Sequence, residues 1–167
     1  MIEIMYIIPQ AIFLGIPLLT QKTNLKKKLG LKETMNWKKE LKTSLKYLAL
    51  IFIVSLSLST LFVIMGWDTG NSQLFNLNLL ILFPLILLGS FAEEVFFRGF
   101  IQRKTNLATT VFLFSVFHSG RGIHGLIAGG LIGLVLGLEY RESGGITASF
   151  ITHLLYNLIV VSIVIFV

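Results

Sequence analysis

The sequence predicts an all-α protein: a single-domain, polytopic bundle of about six transmembrane helix segments. Three observations predict it. Of 167 residues, 54% are hydrophobic and only 13% are charged, which is too apolar for an ordinary soluble domain of this size. The apolar residues gather in six runs, at 4–20, 46–66, 75–103, 106–118, 123–140 and 146–166. The charges lie mostly between the runs, and nine of the fourteen Lys and Arg residues fall in 22–46, all nine of them lysine.

Each run supports the reading in its own way. A span takes about 20 residues, and most of the runs are long enough. The first, 4–20, follows a start with no basic region, and no small-residue cleavage site comes after it. It therefore reads as a retained helix rather than a secretory signal. The lysine-rich stretch 22–46 is expected to be a cytoplasmic loop, because lysine beside spans marks the inner face and attracts anionic lipid. The net charge of +6 thus points to the membrane surface and not to nucleic acid. Within that loop, Trp37 to Leu45 is expected to form an amphipathic surface helix.

The remaining topology follows by alternation. Residues 67–74 are expected outside and the Arg103-Lys104 turn inside. Loop 119–122 is outward, with Arg121 the one dissenting charge, and 141–145 is inside. Run 106–118 is short and ends at Ser119-Gly120-Arg121-Gly122. Such irregular backbone at membrane depth is tolerated where protein or a wet cavity surrounds it. Run 123–140 carries Gly125, Gly129, Gly133 and Gly137, a ribbon on one helix face that permits close helix approach. That helix is expected to be central, with the ribbon serving packing alone. There is no cysteine, so disulfides and thiolate chemistry are excluded.

The residues that carry chemistry lie inside the apolar runs. Ser90-Phe91-Ala92-Glu93-Glu94-Val95-Phe96-Phe97-Arg98 puts three ionisable groups in six residues. Ionisable groups at membrane depth are costly, rare and usually functional. Phe114-Ser115-Val116-Phe117-His118 ends a second run in histidine, and His153-Leu154-Leu155-Tyr156-Asn157 pairs a histidine with an amide in a third. Glu94 and Arg98, like His153 and Asn157, are four apart and share a helix face. Counted from the inner turns, Glu93 and His118 lie roughly 17 and 20 Å along their helices and His153 roughly 12 Å. Four groups from three helices can thus meet at similar depth, opening towards the cytoplasm.

Such a cluster can activate water directly or through a metal. Arg98 claims Glu94 as its ion-pair partner and leaves Glu93 free to take a proton. His153 and Asn157 can donate hydrogen bonds to a developing oxyanion. Glu93, His118 and His153 could instead bind Zn²⁺ with one position open. No HExxH is present, so this is not a zincin helix. Singly, each group has a plain structural reading: a buried ion pair for Glu94–Arg98, a helix end for His118, a satisfied core residue for His153. All of them together at one depth point to a site. His124, beside the outer glycine turn, is read as structural.

The three motifs in this order resemble the CPBP family, the CAAX-protease and bacteriocin-processing (Abi) membrane peptidases, whose pattern is EExxxR, then FxxxH, then HxxxN or HxxxD. The likeness covers about residues 80–165 and includes Gly133 to Leu138 and the Ser143-Gly144-Gly145 turn. It implies an intramembrane endopeptidase that cuts a membrane-associated peptide or lipidated protein, with 75–166 as its catalytic half. It also implies Glu93 and His118 as water activators, His153 and Asn157 as oxyanion donors, and either a metal-bound or a metal-free glutamate mechanism. A chain with six segments fits a bacterial member, resident in the plasma membrane. Two other classes use the same cluster: a non-catalytic bacteriocin-immunity or scaffolding protein, and an ion or proton transporter.

Overall fold

The computed structural model describes residues 2–66 and 79–166. Among these residues the chain is all-helical, with seven α-helices and no strand. They are α1 (Ile2–Thr20), α2 (Leu25–Lys28), α3 (Trp37–Ile64), α4 (Leu79–Glu93), α5 (Leu107–His118), α6 (Gly122–Ser143) and α7 (Ile146–Phe166). Each of the six apolar runs is helical over nearly all of its described residues. The expected outer loop 67–74 lies outside the described residues. Three helices, Trp37–Ile64, Gly122–Ser143 and Ile146–Ile163, are long and apolar enough to cross a membrane, while Ile7–Thr20 and Leu107–His118 are shorter apolar helices.

Local chemistry sets the helix starts. Asn24, Asn36 and Asn106 cap α2, α3 and α5, each side chain accepting from a backbone N–H three residues on. Between α6 and α7 the chain reverses at Gly144, whose φ of +81° suits a residue without Cβ. Its N–H closes the end of α6 on Tyr140 O at 2.8 Å.

Two features depart from expectation. Trp37 to Leu45 is not a separate surface helix but the first turns of α3, continuous with the span that follows. Its inward face (Glu40, Thr43, Ser44, Tyr47) is buried against the bundle, and that packing carries the helix across the boundary between polar and apolar sequence. The second departure is a π-helical segment, Glu94–Gln102, which continues directly from α4 and carries Glu94 and Arg98 of the charged motif. π-helical turns recur at functional sites, and nothing in the residue spacing announces this one.

The helices pack around α6, which touches α5, α3, α7 and the π segment. One apolar cluster joins Phe13 of α1, Ala92, Phe96 and Phe97, and Phe114 of α5, and a second joins Tyr47 and Ile51 of α3 to Val135 and Leu136 of α6. Helices α3, α6 and α7 also share polar contacts: Ser44 Oγ donates to Ala148 O at 2.8 Å and Thr152 Oγ1 to Glu139 Oε1 at 2.8 Å. Lipid offers no hydrophobic drive between helices, so such bonds and the glycine contacts hold the bundle.

Candidate active site

The site is built where α4, the π segment, α5 and α7 converge over α6. Glu93 ends α4, and Glu94 and Arg98 follow in the π segment. His118 is the last residue of α5, and His153 and Asn157 lie one turn apart on α7.

Glu94 and Arg98 are both fully buried and form an ion pair at 3.2 Å. Arg98 Nη2 also donates to Gly133 O at 3.1 Å, and the guanidinium stands 4.5 Å over the Phe114 ring. Glu94 Oε1 has a second partner that the spacing did not reveal, His153 Nδ1 at 3.0 Å. With Arg98 beside it, Glu94 acts as a carboxylate acceptor. The proton is therefore assigned to His153 Nδ1, and in the neutral ring Nε2 carries a lone pair.

His118 is set in the same way by a different group. Its Nδ1 lies 2.8 Å from Phe114 O, one turn back in α5; a carbonyl only accepts, so Nδ1 carries the proton and Nε2 is the ring nitrogen turned towards Glu93. The ring stacks on Phe114 with centroids 4.3 Å apart. Gly129 of α6 meets His118 from the other helix: a Cβ there would lie 2.7 Å from His118 Cβ.

Both Nε2 atoms face one oxygen. Glu93 Oε2 is 4.0 Å from His118 Nε2 and 3.9 Å from His153 Nε2, and it is buried without a hydrogen bond. A buried orphan acceptor in a native structure calls for an explanation. Gaps of this width between polar atoms are what a bridging water spans. The side chains of Glu93 and His118 keep 19% and 26% of their exposure, so the spot can be reached, whereas Glu94 and Arg98 cannot.

The donor set also suits a metal in kind. Metal-binding histidines commonly fix the ring by donating the other N–H to a carboxylate or carbonyl, as both do here. The spacing does not suit one: ligands at 2.0–2.1 Å around tetrahedral zinc lie roughly 3.3 Å apart, closer than 3.9 and 4.0 Å. Among the described residues no group of three or more His, Asp and Glu is disposed to hold a metal ion.

The fourth expected residue, Asn157, stands one turn beyond His153 and donates from Nδ2 to Ser90 Oγ at 3.1 Å. Ser90 is buried one turn before Glu93, so the bond ties α4 to α7 beside the site. Sequence reasoning passed over Ser90, and also the second duty of Glu94 and the carbonyl of Gly133. A one-turn offset from both flanking motif residues was the available signal for Ser90. A backbone acceptor leaves none. His124 lies edge-on to Phe62, with ring centroids 4.6 Å apart.

A family model for type II CAAX prenyl endopeptidases, Rce1-like, matches residues 75–159. The chain belongs to the Rce1-like CAAX prenyl endopeptidase family. All three motifs of the site fall within the matched residues. Membership makes this a CAAX-protease-type enzyme, and with its apolar helices an integral membrane protein. The likeness to CPBP peptidases read from the motifs is thereby shown. Neither a curated protein nor a solved structure matches the chain.

Proposed function

We propose that this Rce1-like protein hydrolyses a peptide bond of a membrane-associated peptide or lipidated protein, using a water activated by Glu93. The observation that carries the reading is the buried, unbonded Glu93 Oε2 facing two histidine Nε2 atoms at 3.9 and 4.0 Å. A water held here directs one proton at Glu93 Oε2 and the other at His118 Nε2. Glu93 takes one proton as the oxygen attacks the carbonyl carbon, and returns it to the leaving amine. His118 orients the water through Nε2.

Asn157 keeps its second amide hydrogen for the oxyanion, because Ser90 accepts only one. His153 can join it with a proton on Nε2, while its Nδ1 stays on the Glu94 carboxylate. Glu94 and Arg98 therefore hold the histidine and touch no reacting atom. The lysine-rich segment supports a site opening towards the cytoplasm of a bacterial plasma membrane, with the bilayer as the protein's first partner.

A second reading, a zinc ion on Glu93, His118 and His153, is favoured by the fixed Nδ1–H of both histidines. It requires the three ligand atoms to close in by about half an ångström.

One experiment tests both. The wild type and Glu93→Gln, purified in detergent, are given a peptide library and analysed for bound metal. The proposal expects cleavage by the wild type and none by a folded Glu93→Gln. Full activity in that variant overturns it, as does ion flux in liposomes without cleavage. One metal per chain, lost together with activity on chelation, selects the zinc reading.

A further inference from the structure

The lysine-rich segment does more than connect α1 to α3. Arg103, just past the π segment, hydrogen-bonds Lys27 O and Gln21 Oε1, and Lys28 Nζ donates to Leu18 O at 2.7 Å. Gly30 lies directly on the π segment: a Cβ on Gly99 would sit 3.2 Å from Gly30 Cα. Gly30 O then accepts the Ile146 N–H at 3.1 Å and so caps the start of α7. Residues 21–30 thus clasp together the π segment, which carries Glu94 and Arg98, and α7, which carries His153 and Asn157. Gly30 holds a φ of +74° there, and a Cβ on it would lie 2.7 Å from Gly99 Cα.

The outside of the clasp is basic. Lys22, Lys26 and Lys27 are exposed beside exposed Leu25, with Lys28 and Arg103 close by in sequence or contact. The acids of 21–46 are Glu33, which accepts from Asn24, and Glu40, which is buried on Lys32. The next element continues the surface: Trp37, Leu41 and Leu45 form an exposed apolar stripe on one face of α3, and Lys38, Lys39 and Lys42 beside it are exposed. An apolar stripe flanked by lysines suits the first turns of a span where they pass the headgroups.

We propose that this surface binds anionic phospholipid headgroups, and that their binding tightens the clasp on the π segment and α7. Lysines crowded on one short segment repel each other, and a layer of headgroup phosphates removes that repulsion while drawing the segment to the membrane. The occupant is lipid rather than free phosphate because apolar side chains lie among the lysines and the surface adjoins membrane-spanning helices. The effect on catalysis rests on the proposed peptidase function; the effect on the clasp does not.

The full chain is placed in nanodiscs of phosphatidylcholine alone, or mixed with phosphatidylglycerol, and amide exchange is followed at Gly30 and Ile146. Phosphatidylglycerol should slow exchange at both by about tenfold, an amount that a few lysines near an anionic surface can supply. Free glycerol phosphate should not, and high salt should cancel the effect. The triple variant Lys22→Gln, Lys26→Gln, Lys27→Gln should lose the response and keep its behaviour in phosphatidylcholine. Gly30→Ala should still bind the anionic lipid, but Ile146 should no longer respond. Equal protection in both lipids, or a full response in the triple variant, overturns the proposal. Cleavage indifferent to lipid while exchange responds overturns the coupling to the site. Absence of cleavage in every lipid with the exchange response intact counts against the peptidase reading alone.

Discussion

Replacing Gly129 with alanine should disable the site from a position that carries no chemistry. The added Cβ would stand 2.7 Å from His118 Cβ and 3.0 Å from its Cγ. Carbon atoms in contact settle at about 3.5–4.0 Å, so α5 and α6 must part by about 1 Å at this point. The histidine cannot simply swing clear, because its Nδ1 is bonded to Phe114 O and its ring lies on Phe114. The displacement falls on Nε2 and its 4.0 Å approach to Glu93. A misplacement of about 1 Å can cost on the order of 10²-fold in rate, and forcing a methyl into a packed core costs about 1–3 kcal/mol. Gly130→Ala is the control, since its Cβ would lie 3.4 Å from Ser115 Oγ, a flexible hydroxyl. Steady-state cleavage and thermal unfolding of both variants decide it. Gly129→Ala with wild-type kcat would refute the claim that His118 is held in place by the glycine ribbon.

Three further outcomes follow from the geometry. Glu94→Gln should unfold more readily than Glu93→Gln. It leaves Arg98 fully buried without its carboxylate, at a cost of about 3–5 kcal/mol, whereas Glu93 has no charged partner closer than 3.9 Å; equal melting temperatures would contradict this. Ser90→Ala should lower kcat about fivefold with KM unchanged, the worth of about 1 kcal/mol of hydrogen bond, while Ser90→Thr keeps activity; a change in KM alone would show that the Asn157 bond serves binding. Thr152→Val should destabilise the bundle by about 1–3 kcal/mol by removing the donor to the buried Glu139, and an unchanged unfolding midpoint would show that Glu139 finds another partner.

The architecture was legible because lipid imposes it. Each apolar run had to become a helix to satisfy its own backbone, so the described part of every run is largely helical. The meeting of Glu93, His118 and His153 was legible for a related reason: a rise of 1.5 Å per residue turns position into depth. What escaped were features decided by a neighbour rather than by the local sequence. Trp37 to Leu45 looks like a surface helix until the burial of Glu40 and Ser44 against the bundle joins it to α3. Glu94 looks like the partner of Arg98 alone, because a four-residue offset reveals contacts within one helix. Its bond to His153 crosses 59 residues. The lysine segment looks solvated because its side chains are exposed; what ties it down is backbone, Lys27 O and Gly30 O, which composition does not display.

The glycine ribbon shows how packing and site chemistry become one property of this fold. Gly129, Gly133 and Gly137 seat His118, Phe114 and Leu107 of the neighbouring elements, so α5 lies against bare backbone. The same absence of side chains opens the carbonyls of Gly133 and Gly137, which accept from Arg98 at 3.1 Å and Gln102 at 2.8 Å. Two donors four residues apart on the π segment thus read two carbonyls four residues apart on α6. That match fixes both the rotation and the depth of the segment bearing Glu94. Any side chain on the ribbon would push away α5 or cover an acceptor, and in either case one of the two histidines loses its register with Glu93. The expectation of packing alone was therefore too narrow: α6 contributes no group to the proposed chemistry, yet it sets where both halves of the site stand.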